Sequence, residues 1–172
     1  MTELKGKVAL VTGAAKGIGK AAAAKLAEEG VNIAVNYNSS KQEAEETVKY
    51  LKDLGIDSIS CQADVGNLDQ VTKMVDVVTD HFGQIDILVN SAGLNLPKRR
   101  YREMKMGDWQ MVIDANLNGA YNCVHAVLSH MRDRGDGLII NVSSWAGRHD
   151  SYVAGPAYGA SKYAMSLSLI HI

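Results

Sequence analysis

The chain is poor in the groups that cross-link or anchor proteins. Its 172 residues contain two cysteines, Cys61 and Cys123. Two thiols so far apart make neither a disulfide framework nor a CxxC metal site. A reducing, cytoplasmic setting and the absence of a metal centre are therefore expected. Neither charge sign is in excess: Lys and Arg total 18, Asp and Glu 19, for a net charge of −1. That balance rules out a basic chain built to grip nucleic acid phosphates. It also excludes a polybasic membrane anchor or an acidic tail. No apolar run approaches the roughly 20 residues of a membrane span. The opening residues, Met1 to Lys7, carry no apolar core behind their charges, so no signal peptide is expected. Prolines number two against 16 glycines, which suits many short turns and few rigid loops. Repeats and low-complexity stretches are absent.

What is present is the composition of an ordered globule, 47% hydrophobic and 22% charged. A chain of this length reads as one domain, residues 1–172, able to bury about 70% of its unfolded surface. Apolar strands and amphipathic helices alternate along it. Lys7 to Thr12, Val31 to Tyr37, Ile56 to Cys61, Ile85 to Asn90 and Leu138 to Ser143 are short apolar runs of the kind buried on both faces of a parallel sheet. Between them lie helical segments. Ala21 to Glu29 is rich in good helix formers and stops at Gly30. A capping box at Ser40 and Glu43 precedes Ala44, Val48 and Leu51 on one face, with Gly55 as the stop. Asn67 and Gln70 repeat that spacing ahead of Val71, Met74, Val75, Val78 and Phe82, a core-facing stripe closed by Gly83. Leu94 to Lys105 is polar and basic, a loop or short helix. A long helix is predicted over about Asp108 to Met131, and a last one from Ala157 onward. Repeated β-α units predict an α/β, doubly wound, Rossmann-like parallel sheet. Ligands of such sheets bind beyond the carboxyl ends of the strands. Chemistry is thus expected just after Thr12, Tyr37, Cys61, Asn90 and Ser143.

Three of those places carry suggestive residues. After the first strand, Gly13 permits a sharp turn. Gly17 and Gly19 clear space where a pyrophosphate would meet free amides at a helix N-terminus. The spacing is GxxxGxG rather than GxGxxG, and no Lys-Ser or Lys-Thr pair follows as in a P-loop. A glycine-rich turn without a ligand has the same pattern. After the second strand, Asn36 to Ser40 offers amides and hydroxyls and no acid. A ribose-binding acid would favour NAD, whereas Asn38 and Ser39, with Lys16 nearby, suit a phosphate and lean toward NADP. Helix capping alone would also account for Ser39 and Ser40. Finally, Tyr158 and Lys162 are four apart and share a helical face. A neighbouring ammonium favours the phenolate of a group whose ordinary pKa is near 10. Ser143 and Ser144 lie on the same rim, where a hydroxyl could donate to a substrate carbonyl. An isolated Tyr–Lys pair is also a common surface feature; three such features on one rim are not.

These pieces, with Asp64-Val65, Asn90-Ser91-Ala92-Gly93 and Asn116, resemble the short-chain dehydrogenase/reductase family, and within it the 3-oxoacyl-[acyl-carrier-protein] reductase and glucose 1-dehydrogenase type. The resemblance runs from about Leu4 to Leu167, with six motifs in the family's order. It implies an oxidoreductase passing a hydride between NADP(H), or NAD(H), and a small carbonyl or secondary alcohol. Tyr158 is implied as proton donor or acceptor. Lys162 would hold the nicotinamide ribose and depress the tyrosine pKa, Ser144 would orient the substrate oxygen, and Asn116 would hold a water linking Lys162 to solvent. Gly13, Lys16, Gly17, Ile18, Gly19, Asn38, Ser39, Asp64, Val65, Asn90, Ala92, Gly93, Tyr158 and Lys162 are implied at the cofactor. Three details depart from the family pattern. Ser144 and Tyr158 are 14 positions apart, one more than usual, with Ser143 as fallback. Some NADP-using relatives have arginine at Asn38, and Ser91 replaces a second asparagine. Members continue past the Tyr–Lys helix with two more strands and a homo-oligomer contact. A chain ending at Ile172 is accordingly expected to be truncated, with five of seven strands and an uncovered fifth strand. The competing expectation is an inactive fragment that binds nucleotide or pairs with a full-length subunit.

Overall fold

The structure, a computed structural model, describes residues 4–149 and 151–169. Five parallel strands form one sheet in the order β3-β2-β1-β4-β5. They are β1 (Val8–Val11), β2 (Asn32–Tyr37), β3 (Ser58–Gln62), β4 (Ile87–Asn90) and β5 (Leu138–Asn141). The helices are α1 (Gly17–Glu28), α2 (Lys41–Asp53), α3 (Leu68–Phe82), α4 (Met106–Ile113), α5 (Gly119–Arg134) and α6 (Pro156–Ser168). The crossover order reverses between β1 and β4, which pair directly through Ala9–Ile87, Leu10–Leu88 and Val11–Val89. That reversal is the switch point where a doubly wound sheet opens a ligand crevice.

Two cores clamp the sheet. On one face, Leu10 and Leu88 meet Val71, Met74, Val75 and Val78 of α3 and Val124, Val127 and Met131 of α5. On the other, Val11, Val35, Ile87 and Val89 meet Ala23 and Ala27 of α1 and Ala44 and Leu51 of α2. β1 and β4 are buried along their whole length, as expected for strands covered on both faces. β5 is different: Leu138 is 50% and Ile140 39% exposed, and this strand forms an edge.

The sequence expectations hold for the order and type of the elements, with local corrections. α1 starts four residues early, at Gly17, because Lys16 is extended and the glycine turn feeds straight into the helix. The Ser40–Glu43 capping box does not form. Ser40 sits at φ −86°, ψ 62°, away from the extended backbone that aims a cap hydroxyl at the first-turn amides. Glu43 reaches Lys16 instead, at 3.9 Å. Asn67 does cap α3, accepting from the Gln70 amide at 3.1 Å. Gln70, however, accepts from the Asp64 amide rather than returning to Asn67. β3 begins at Ser58, two residues late, and β5 ends at Asn141. Residues 94–105 form turns and no helix. The single long helix is broken into α4, a π turn over Asp114–Asn118, and α5. The reading of the last helix to the chain end reaches residues outside those described.

Both cysteines are buried, and desolvation pushes the Cys61 thiol up to about 11 and Cys123 up to about 12. Neither should react with Ellman's reagent in the native protein at pH 8, and both should react after denaturation. A fast native thiol would contradict the packing of β3 and α5.

Candidate functional site

At the switch point the loops after β1 and β4 touch. The Thr12 hydroxyl accepts from the amides of Ser91 and Ala92, both at 3.0 Å, and its own proton goes to the Val89 carbonyl at 3.3 Å. A Cβ on Gly13 would lie 2.9 Å from the Ala92 Cα, and its φ of +63° already favours glycine. One step across the sheet, buried Asn36 is the penultimate residue of β2. Its Oδ1 accepts from the Gly13 amide at 3.2 Å, and its Nδ2 donates toward the Cys61 and Ala63 carbonyls at 3.3 and 3.1 Å. The glycine loop is thus pinned to β3 on one side and to the loop after β4 on the other.

A cleft of about 470 Å³ opens over this loop. Gly13, Lys16, Ile18 and Gly19 line its floor; Asn38, Ser39 and Ser40 line one end, and Asp64, Val65, Ala92 and Gly93 the rest. Gly17 has φ +61°, and a Cβ there would meet nothing within 4 Å. Space is open in front of the first turn of α1, where free amides and the helix dipole favour an anion. One Asp64 oxygen accepts from the Gly66 amide at 2.9 Å, forming a turn. Ile18 is 68% exposed, an apolar side chain offered to the cleft rather than to the core. Among the described residues Lys16 pairs only with Glu43, in an exposed contact at 3.9 Å, which is weak.

A second cleft, about 590 Å³, adjoins the first, sharing Ile18, Ser91, Gly93 and Leu94. Ser143, Ser144, Tyr158 and Lys162 line it together. The two serines are told apart by their hydrogen bonds. Ser143 Oγ donates to the Lys162 carbonyl at 3.1 Å and meets Ser166 Oγ at 2.8 Å, so it serves the packing of β5 against α6. Among the described residues Ser144 Oγ only accepts, from the Ala146 amide at 3.3 Å, and its proton has no acceptor there. Lys162 is 4% exposed. Its Nζ donates to the Val142 carbonyl at 2.8 Å and lies 5.9 Å from the centroid of the Tyr158 ring. Burial pushes the Lys162 pKa below its ordinary 10.5, and among the described residues no carboxylate pairs with it.

Asn116 lies in the π turn, fully buried. It clamps the backbone of Leu94 from both sides, accepting from its amide at 2.7 Å and donating to its carbonyl at 3.0 Å. Its other N–H goes to Ser161 Oγ of α6 at 3.2 Å. Its amide is therefore engaged with protein, and it ties together three segments: the loop after β4, the π turn and α6. π turns often mark functional sites because they bend the helix and shift its register. Here the turn places Asn116 so close to Gly93 that a Cβ there would be 3.0 Å from Oδ1 and 3.7 Å from Lys162 Nζ. Asn90 is not brought to either cleft. It is buried, and its Nδ2 donates to Asn141 Oδ1 at 2.9 Å, stitching β4 to β5. Thr12, Asn36 and Ser161 are the site-shaping residues that reading the sequence did not single out. For Thr12 and Asn36 the signal was a polar residue near the end of an otherwise apolar, buried run; Ser161, inside α6, carries no such signal.

Architecture and cleft together define the Rossmann-like class, an α/β protein whose ligand crevice lies at the switch point of a parallel sheet. The model of the short chain dehydrogenase family matches residues 7–169, and the chain belongs to that family. It is 46% identical over 141 residues to the 3-oxoacyl-[acyl-carrier-protein] reductase FabG of Staphylococcus aureus, covering 82% of this chain and 57% of that protein. It is 39% identical over 143 residues to glucose 1-dehydrogenase 2 of Bacillus subtilis, covering 83% and 55%. A metagenomic short-chain oxidoreductase solved in complex with NADP superposes with a TM-score of 0.91 at 30% identity, over 99% of this chain and 76% of that one. The chain thus spans little more than half the length of the curated relatives it matches.

Lys162 makes the site's electrostatics measurable. Below its lowered pKa the fold holds a desolvated cation. Above it the folded lysine is neutral, while the unfolded one stays charged up to about pH 10.5. Unfolding then takes up a proton, and stability rises with pH across that window. Wild type should therefore gain stability relative to Lys162→Met as pH rises toward 10.5, in paired thermal or urea melts. A difference flat with pH would show that the lysine is not desolvated.

Proposed function

We propose that this chain holds NADP(H) and catalyses hydride transfer between it and a carbonyl or secondary alcohol, with Tyr158 as acid or base. The supporting observation is the continuity of the two clefts. Ser144, Tyr158 and Lys162 face one of them, and Ile18 and Gly93 belong to both. The dinucleotide fits the first cleft because the open front of Gly17 and the first turn of α1 form an anion cradle. When bound, the nicotinamide supplies or takes up the hydride. Everything else falls to side chains. Tyr158 holds or moves the proton at the substrate oxygen. Lys162 reaches the nicotinamide ribose, and Ser144 donates to the substrate oxygen. Asn116 positions Gly93, Leu94 and α6 around Lys162. The relatives include a 3-oxoacyl-[acyl-carrier-protein] reductase and a short-chain oxidoreductase in complex with NADP, which agrees with this chemistry.

The preference for NADP rests on Lys16, Asn38 and Ser39, which line the cleft end beyond β2. No acid lies between Asn36 and Ser40 to repel a 2′-phosphate. In this reading residues 1–172 work as one dinucleotide-binding and catalytic unit. Nucleotide binding without turnover is a second reading, favoured by the exposed apolar side chains of β5.

NADPH titration followed by fluorescence should show saturable binding, tighter than NADH. Lys16→Glu should cut the NADPH affinity by about tenfold, about 1.4 kcal/mol, and leave NADH nearly unchanged. With turnover in a ketone panel, Tyr158→Phe should lower kcat by about 10²- to 10⁴-fold at unaltered NADPH affinity. Normal turnover in Tyr158→Phe would defeat the assignment. Binding without turnover in the wild-type chain would select the second reading.

A further inference from the structure

A third cavity, about 620 Å³, borders the catalytic cleft, sharing Ala146 and Ser151 with it. Its walls carry Arg100, Arg102 and His149, with Tyr101, Tyr152 and Tyr163. We propose that this groove receives the anionic end, a carboxylate or a phosphate, of the carbonyl or alcohol substrate. The inference rests on the hydride-transfer reading of the neighbouring cleft and adds a substrate class to it.

The charge is local. The chain as a whole is at −1, yet the eight residues Lys98 to Lys105 hold five bases and one acid, Glu103. Among the described residues, neither Arg100 nor Arg102 enters an ion pair. The neighbouring Arg99 has a different task. Its Nε donates to the Val153 carbonyl at 2.6 Å, and Asn95 Nδ2 donates to the Ala154 carbonyl at 3.0 Å. Gly155, at φ +81°, lies so close under the Arg99 carbonyl that any Cβ would collide with it. These contacts fasten the basic loop onto the segment that precedes α6, and so fix where Arg100 and Arg102 emerge.

The opposite wall is fastened as well. The Tyr163 hydroxyl donates to the Arg148 carbonyl at 3.3 Å, and His149 stacks on Trp145 with ring centroids 4.0 Å apart. Two guanidinium forks on a braced loop match the planar, bidentate geometry of an oxyanion better than a point charge would. A substrate with its oxygen at Tyr158 and Ser144 would point its far end past Ala146 and Ser151 into these arginines. Both arginines are exposed, so salt should screen the effect.

Matched neutral and anionic ketones isolate the charge: ethyl acetoacetate against acetoacetate, and dihydroxyacetone against dihydroxyacetone phosphate. Binding is read by NMR or calorimetric titration, with NADPH affinity measured in parallel. The anionic member of at least one pair should bind about tenfold tighter at low salt, a preference of about 1.4 kcal/mol, and less so as ionic strength rises. The pair that shows it names the anion. Arg100→Gln with Arg102→Gln should abolish the preference, and the two Lys replacements should retain part of it. Melting curves confirm that each variant folds. Absence of any preference, or its persistence in the double Gln variant, would overturn the proposal. Lost NADPH binding beside an intact, arginine-dependent preference would instead overturn the dinucleotide reading and spare the groove.

Discussion

The mouth of the sheet depends on one close approach, the glycine turn after β1 against the loop after β4. Gly13 and Ala92 come within a distance that leaves no room for a Cβ, and the Thr12 hydroxyl holds the second loop down by two amide hydrogen bonds. Both loops leave strands that are buried on both faces, so neither can retreat without breaking the core. The contact brings Gly93 and Leu94 beside Ile18, and the two clefts become one continuous surface. A larger residue at position 13 would separate the clefts before it touched any ligand.

That contact is supported by buried polar side chains rather than by apolar packing. Asn36, Asn116 and Thr12 are each almost fully buried, and each spends most of its hydrogen bonds on backbone groups of another segment. A buried polar group without partners costs more than it returns, so these side chains tolerate only the arrangement that satisfies them. They define geometry in a way that Val or Leu in the same place could not. Lys162 is the counterexample. It is buried with a carbonyl acceptor and, among the described residues, no carboxylate, an arrangement that costs stability and leaves its Nζ 5.9 Å from the centre of the Tyr158 ring.

Which parts of this were legible in the sequence follows from the range of the forces involved. The apolar runs and the stripes of α3 report burial directly, so the doubly wound sheet was readable residue by residue. Helix starts were less so. The Ser40–Glu43 spacing has the pattern of a capping box, but the turn after β2 sets the backbone of Ser40, and Glu43 swings to Lys16. The break in the long helix was hidden for the same reason. Nothing local in Asp114–Asn118 signals a π turn; Val65 crowds Gly119, and Asn116 is drawn to Leu94 and α6. Tyr158, Lys162 and Ser144 were visible as types in sequence. The division of labour between Ser143 and Ser144 needed the neighbouring helix. The placement of Asn90 between β4 and β5, away from both clefts, depends on Asn141, 51 residues later.

The two ends of the combined cleft differ in how they are held, and this difference bears on selectivity. The end beneath the glycine loop is pinned to β3 and to the loop after β4 by bonds from strand residues, so its shape follows from the core. The end beyond Tyr158 is made of loop backbone fastened to loop backbone: Arg99 to Val153, Asn95 to Ala154, Tyr163 to Arg148. Such contacts fix position while leaving the intervening side chains free to vary, since Arg100, Arg102 and Tyr152 bear no part of the bracing. Residues that hold the first end cannot change without losing the fold, whereas those displayed at the second can change charge and shape at little cost in stability.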